Sequence, residues 1–159
     1  ITSLTFTIII VVIMLAGSIQ AQLNHGITDH VEVGVSGGTN GLGLMTKVAL
    51  VRSESAQAGF NLAIEPGGSV GPRYGDARLP LLLGYRFGGH ELTLGPAVHF
   101  TWPAGTTWPS AGLLAGATLS GRFRVASGFI LSPEVGWMQP IAGRQPLPIP
   151  VANLGFAWE

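Results

Sequence analysis

The chain of 159 residues has few charges and no cysteine. Charged residues make up 10% of it, and Lys47 is the only lysine, whereas an ordinary soluble domain has about 25% charged residues. Hydrophobic residues make up 47%, so a soluble fold of this length would lack the charges needed to cover its exterior. The absence of cysteine excludes disulfides, thiol catalysis and cysteine-ligated zinc. The net charge of zero offers no basic surface, so we expect no nucleic-acid partner.

Long apolar runs are also missing. The run from Ile8 to Leu15 has the length of a signal-peptide core, and the small residues that follow it end at Ala21, a cleavage site of the loose A-x-A type. A transmembrane helix needs about 20 apolar residues, and Gly17 interrupts the run early, although a membrane anchor remains the alternative. We therefore predict a signal-peptide helix over 1–21, a short segment over 22–28 and one domain over 29–159.

From Asp29 onward, short segments alternate apolar and small or polar residues with a period of two, and Gly-, Pro- and Ser-rich stretches separate them. This pattern is typical of β-strands. Eight strands are predicted, at 29–36, 42–52, 57–66, 79–88, 90–102, 111–125, 128–139 and 150–159. Short turns alternate with longer loops, as in outer-membrane barrels, where the short turns are periplasmic. The sequence thus predicts an all-β, eight-stranded antiparallel up-and-down transmembrane β-barrel with both termini in the periplasm.

One face of every predicted strand is free of charge, which suits contact with lipid, because an Arg or Lys at the bilayer midplane costs about 2–4 kcal/mol. The opposite face carries almost all strand charges, and we predict that they form a charge network in the lumen. Its members are Glu32, Lys47, Glu65, Arg86, Glu91, Arg122, Arg124 and Glu134. The network is interpreted as a set of salt bridges that fills the barrel, with an ion path as the alternative.

Aromatic residues gather at the strand ends and leave the strand middles to Leu, Val and Ala. Such belts are typical of membrane barrels, although a soluble lipocalin-like barrel would also alternate, with its apolar side inward. The predicted aromatic girdle consists of Phe60, Tyr85, Phe87, Phe100, Trp102, Phe123, Phe129, Trp137 and Trp158.

Two local phrases carry a resemblance to a known class. The phrases ITDHVEVG (residues 27–34) and LGYRF (residues 83–87) resemble the strand entries and exits of small eight-stranded outer-membrane β-barrels, of the OmpA/OmpX type in the broad sense. The resemblance covers about 29–159. It implies an outer-membrane location, and outer-membrane lipids and the barrel-assembly machinery as partners of a monomeric chain.

No constellation of side chains points to catalysis. No serine lies two residues from His99, no Ser/His/Asp arrangement follows from the order of residues, and no histidine pair has metal-ligand spacing. We therefore expect a non-enzyme without metal or cofactor. Arg73 and Arg78 fall in a predicted outer loop, where they could bind lipopolysaccharide phosphates; a loop held by its own Arg–Asp pairs is the equal alternative.

The expected role is structural or adhesive, in which a filled barrel presents its loops outside the cell. Two alternatives from other classes stay open. One is a narrow pore for small solutes or ions, and the other is a lipid-modifying outer-membrane enzyme.

Overall fold

The computed structural model describes residues 6–13, 18–39, 41–53, 58–72, 74–103, 112–142 and 148–158, without the side chains of 6–13, 18–20 and 158. Within these ranges the chain is all β, with eleven strand segments and no helix. The segments are β1 (Phe6–Ile13), β2 (Ser18–Gly26), β3 (Val31–Gly38), β4 (Gly41–Val51), β5 (Ala58–Ile64), β6 (Gly67–Val70), β7 (Tyr74–Phe87), β8 (His90–Pro103), β9 (Gly112–Ala126), β10 (Phe129–Ala142) and β11 (Ile149–Trp158).

All segments belong to one antiparallel up-and-down sheet. β5 and β6 both lie between β4 and β7, so the eleven described segments make ten strands. β1 pairs with both β2 and β11, and β3 pairs with both β2 and β4. This arrangement is compatible with a β-barrel-type fold.

A proline separates β5 from β6 without breaking the sheet. Pro66 has no N–H to donate to a ladder, yet its carbonyl oxygen accepts a hydrogen bond from the Thr46 N–H at 2.9 Å. The Glu65 N–H donates to the carbonyl oxygen of Pro80 at 3.1 Å. Pairing with both neighbouring strands therefore continues past the interruption.

The tight turn between β7 and β8 follows from two glycines. Gly88 and Gly89 have φ values of 53° and 86°, and a two-residue turn of this kind needs positive φ at both central positions. The short connection expected between the predicted strands 79–88 and 90–102 is confirmed.

The prediction of eight strands is wrong, because the described chain has ten. The two additional strands, β1 and β2, lie in the segments predicted as a signal-peptide helix and a short connection. The Ile- and Val-rich β1 favours an extended backbone, and Gln22 and Asn24 alternate with Ala21 and Leu23 as a strand requires. The secretion signal itself stays a prediction.

The predicted long loop over 67–78 is also wrong in large part. Gly67–Val70 forms β6, and β7 begins at Tyr74, so the stretch is an extension of a hairpin. β6 pairs with β4 on one side and with β7 on the other, and these ladders satisfy backbone groups that a loop would expose to water.

None of the described residues forms a helix with the length and apolar character needed to span a lipid bilayer.

The two faces of the sheet differ sharply in what they expose. The buried apolar residues among those described are few and mostly small: Ala63, Ala97, Ile130, Met138 and Ala157. The exposed apolar residues are many and large, and include Leu42, Leu44, Phe60, Val70, Leu79, Tyr85, Leu94, Val98, Phe100, Leu119, Val135 and Trp137. The described chain therefore has no large apolar core.

Candidate functional site

A central cavity of about 570 Å³ lies against the polar face of the sheet. Residues of β2, β4, β5 and β7–β11 line it, together with Glu65 from the β5–β6 junction. Its ionisable lining consists of Lys47, Glu65, Arg78, Glu91, His99, Arg122 and Glu134. The cavity thus receives three cationic side chains and three carboxylates, besides the histidine.

Arg78 is a cation of the central cavity whose charge acts on two carboxylates of the lining. Its guanidinium has favourable electrostatic interactions with Glu65 and Glu134, which come from different parts of the sheet. Its Cα is the register partner of His99 on β8. The buried Nε of Arg78 finds no hydrogen-bond acceptor among the described residues. Arg78 therefore compensates negative charge of Glu65 and Glu134, while its own Nε lacks a hydrogen-bond acceptor among the described residues.

Glu134 and Glu65 each have a second polar neighbour. The Asn153 amide donates a hydrogen bond from Nδ2 to Glu134 Oε1 at 3.1 Å across β10 and β11. Glu65 interacts electrostatically with Lys47 as well as with Arg78. Because a charge buried without a partner costs several kcal/mol, these contacts are what allow carboxylates to face the cavity.

One wall of the interior is closed by uncharged polar groups. The Gln22 amide donates from Nε2 to Asn24 Oδ1 at 2.9 Å and lies 2.7 Å from the Met45 sulfur. A Cβ on Gly34 would collide with both Asn24 and Met45. Glycine at this position therefore lets the two larger side chains pack against the backbone of β3.

A charged row crosses β7, β8 and β9 close to their turns. Arg86, Glu91 and Arg122 are consecutive register partners across these three strands. Arg86 Nη2 lies 3.6 Å from Glu91 Oε2. Like-charged arginines therefore stand on either side of one carboxylate.

The members of the predicted lumen network are found in three situations. Lys47, Glu65, Glu91, Arg122 and Glu134 line the central cavity. Arg86 joins them through its ion pair with Glu91, and Glu32 is the register partner of Lys47. Arg124 is exposed to solvent two residues beyond Arg122.

Of the two arginines predicted to contact lipopolysaccharide from an outer loop, the structure describes one. Arg73 lies outside the described residues. Arg78 belongs to strand β7 and lines the central cavity, so its assignment to an outer loop is wrong. The reason is the hairpin extension described above, which carries the two-residue alternation of β7 back through Arg78 to Asp76.

The aromatic residues lie in groups on the exposed face. Near the β7–β8 turn, the Tyr85 and Phe87 ring centroids are 6.3 Å apart, and His90 lies 5.9 Å from Phe123. Phe129 and Phe156 stack at 5.9 Å. At the other end of β8, Phe100 and Trp102 are 5.9 Å apart. Phe60 and Trp137 are exposed, and the Trp158 side chain lies outside the described part.

Sequence reasoning did not place Gln22, Asn24 or Arg78 on the polar inner face. A signal for each was present. Gln22 and Asn24 have the period of a strand, but they directly follow an apolar run that was interpreted as a signal peptide. Arg78 continues the inward series Pro80, Leu82 and Gly84, but the glycines and prolines of 67–78 were interpreted as a loop.

His99 lines the central cavity, and its Cα is the register partner of Arg78. Comparison with known proteins gives no significant match for this chain, whether against protein-family models, curated proteins or solved structures.

Proposed function

We propose that this protein is a transmembrane β-barrel of the outer membrane, filled by its own polar side chains, with a structural or surface-presenting role. One observation carries the proposal: the sheet exposes large apolar side chains on its outer face and directs its charges toward the central cavity. A soluble barrel has the reverse arrangement.

The size of the apolar surface supports contact with lipid. Soluble monomers rarely expose contiguous apolar patches beyond a few hundred Å². Here Leu94, Leu119 and Val135 are register neighbours on three adjacent strands and are 45%, 50% and 57% exposed. Similar residues continue on β4 and β7. Contact of this apolar belt with lipid hydrocarbon would carry no free-energy penalty, whereas its contact with water would be unfavourable.

The pairing pattern supports closure of the sheet into a ring. β1 pairs with β11 at one end of the chain and with β2 on its other side, and each later described strand pairs with two neighbours. An open edge in a bilayer would leave backbone N–H and C=O groups unsatisfied, at several kcal/mol each. A closed ring of ten strands would leave no such edge.

Strand length and aromatic placement also fit a bilayer. β7, β8 and β10 have 14 residues and β9 has 15, more than the roughly 9–11 that a tilted strand needs to cross a membrane. The Tyr85–Phe87 and Phe100–Trp102 pairs lie near opposite ends of the β7–β8 hairpin. Aromatic rings prefer these two depths, at the interfaces on either side of the hydrocarbon.

The charges in the cavity support a filled interior. The charge of Arg78 acts on Glu65 and Glu134, and Arg86 forms an ion pair with Glu91. Such mutual compensation is what a plug of charged side chains requires. In this role the protein would stiffen the envelope or present its loops, and export to the outer membrane and insertion by the barrel-assembly machinery belong to the same proposal.

The test is cell fractionation combined with a heat-modifiability gel. We expect the full chain in the outer-membrane fraction, extractable only with detergent. Unboiled protein should migrate differently from boiled protein, because a closed barrel resists detergent until it is heated. A chain that stays in solution without detergent and migrates identically with and without boiling would contradict the proposal.

A narrow pore is the second candidate, and the strand number favours it. Eight strands leave an interior just wide enough for side chains, and ten strands enclose more space, consistent with the cavity of about 570 Å³. The two candidates differ in planar bilayers. We expect no steady conductance from the filled barrel, since charged side chains cross its interior. Reproducible unitary steps that a Lys47→Ala variant enlarges would establish the pore instead.

A further inference from the structure

Charges of opposite sign alternate across four neighbouring positions of the sheet, here called the alternating row and defined as Glu32, Lys47, Glu65 and Arg78. Glu32 is the register partner of Lys47. The junction that carries Glu65 is hydrogen-bonded through its backbone to β4 on one side and to β7 on the other. Lys47, Glu65 and Arg78 line the central cavity, and both cations attract Glu65 electrostatically. The cavity thus receives a carboxylate between two cations.

The members of the alternating row interact through their charges and not through direct contacts. Among the described residues, no side-chain hydrogen bond or ion pair joins any two of them. The buried Nε of Arg78 finds no acceptor in the described chain, and the Glu65 carboxylate accepts no hydrogen bond from it. Buried polar groups of native proteins nearly always have a hydrogen-bond partner. The row therefore offers one donor and one acceptor to a further polar group.

The central cavity has room for such a group on a small molecule. Its volume of about 570 Å³ lies within the range of roughly 300–1,000 Å³ that is typical of small-molecule sites. Uncharged hydrogen-bonding side chains share the lining with the charges, among them Asn61, Thr93, Ser120 and Asn153. Phe, Tyr and Trp are absent from the described lining. Hydrogen bonds rather than aromatic stacking would therefore hold a solute there.

The alternation of charge disfavours a charged solute. An anionic group bound to Arg78 would also lie close to Glu65 and would be repelled by it. An ammonium group bound to Glu65 would be repelled by Lys47 and Arg78 in the same way. A hydroxyl group has no net charge and is both a donor and an acceptor. It can accept a hydrogen bond from the Arg78 guanidinium while it donates one to the Glu65 carboxylate.

We propose that the central cavity binds a small uncharged polyhydroxyl solute, of the size of a monosaccharide, between Arg78 and Glu65. Neighbouring hydroxyl groups of such a solute match the fork of guanidinium N–H donors and the two oxygens of the carboxylate. This binding goes beyond the structural role proposed above. It depends on the cavity and not on the membrane location, and it does not require the barrel to conduct.

The test is calorimetric titration of the full chain with glucose, cationic glucosamine and anionic glucuronate, which share a ring and differ in charge. The chain is kept in micelles of an oligo-oxyethylene detergent, because the headgroup of a maltoside is itself a sugar. We expect saturable binding of glucose at millimolar concentrations. Each charged sugar should bind at least about tenfold more weakly, because like charges would be brought together in the cavity.

Two variants of the alternating row should change this preference in opposite directions. Glu65→Gln should weaken glucose binding by about tenfold, as expected for the loss of a hydrogen bond to a charged group. It should also strengthen the binding of glucuronate, because it removes the repelling carboxylate. Arg78→Gln should weaken glucose binding to a similar extent and strengthen the binding of glucosamine. A row that only stabilised the fold would produce neither gain.

Arg52→Gln is the matched control. This exposed arginine donates to the Asp29 carbonyl near the end of β4 and is not part of the described cavity lining, so its substitution should leave the binding of all three sugars unchanged. Far-UV circular dichroism and the heat-modifiability gel establish that each variant is folded. Glu65→Gln decides the outcome if Arg78→Gln does not fold.

Three results would overturn the proposal: no saturable binding of glucose to the wild-type chain, a charged sugar that binds as tightly as glucose, or equal losses in Arg52→Gln and Glu65→Gln. The membrane proposal is tested separately by fractionation and the heat-modifiability gel. A chain that binds glucose but stays in solution without detergent would refute the membrane location and leave the solute site intact. A heat-modifiable membrane protein that does not bind glucose would refute the solute site alone.

Discussion

Leu119→Arg is expected to lower the free energy of unfolding in phospholipid vesicles by about 2–4 kcal/mol, the cost of an arginine at the lipid-facing midplane of a barrel. Leu119 lies in the middle of β9, is 50% exposed and has exposed apolar register partners on both sides. In a bilayer, the new guanidinium would have neither water nor a carboxylate within reach. Urea titration of tryptophan fluorescence in phosphatidylcholine vesicles measures the loss.

The same strand provides the control for depth. Val125 is 64% exposed and lies one residue before the end of β9, at the turn. Val125→Arg should cost only about 0–1 kcal/mol, because an arginine near the interface reaches water and headgroups. A soluble exterior would tolerate both substitutions within about 0.5 kcal/mol. Equal and small effects at the two positions would therefore refute the membrane-facing assignment of this surface.

Arg78→Gln is expected to destabilise the folded chain by about 2 kcal/mol or more. Removing one partner of a buried ion pair costs roughly 3–5 kcal/mol because the other charge is left uncompensated. The loss expected here is smaller, because Arg78 is only half-buried and acts on Glu65 and Glu134 through its charge. Glutamine retains hydrogen bonding while losing that charge. Urea unfolding in vesicles is again the measurement.

A double substitution separates charge compensation from packing. In the Arg78→Gln background, Glu65→Gln should recover about 1 kcal/mol, because it removes a carboxylate that has lost part of its compensation. Arg124→Gln, at an exposed guanidinium, should change stability by no more than about 0.5 kcal/mol. If the effects of Arg78→Gln and Glu65→Gln were strictly additive, Arg78 would act through packing alone.

Much of the strand content could be predicted from periodicity. Strands β8 and β9 were predicted to within two residues at each end, because Leu92, Leu94 and Val98 alternate with Glu91, Thr93 and His99 without interruption. Register could not be predicted in this way. The ion pair between Arg86 and Glu91 depends on a two-residue turn that makes them neighbours, and that turn was visible in the sequence only as two glycines.

Where the predictions failed, a local signal competed with pairing. The glycines and Pro72 of 67–78 are typical of a loop. However, β6 forms within this stretch because it pairs with both β4 and β7. The apolar run before Ala21 is typical of a signal peptide, yet β11 offers β1 an antiparallel partner. A local pattern indicates the conformation that a segment prefers in isolation. The conformation it adopts in the protein also depends on hydrogen bonds to strands that are distant in the sequence.

The sequence by itself determined the alternation, the absence of charge from one strand face and the scarcity of charge overall, since these depend only on residue type and a period of two. The tertiary structure decided what the alternation serves: ten strands pair, the charged face lines a cavity, and Arg78 and Gln22 are part of that lining. The physical reason is that an alternating strand has two different faces, and nothing within the strand itself determines which face points inward. A face becomes interior only when strands far apart in the chain are brought together around it.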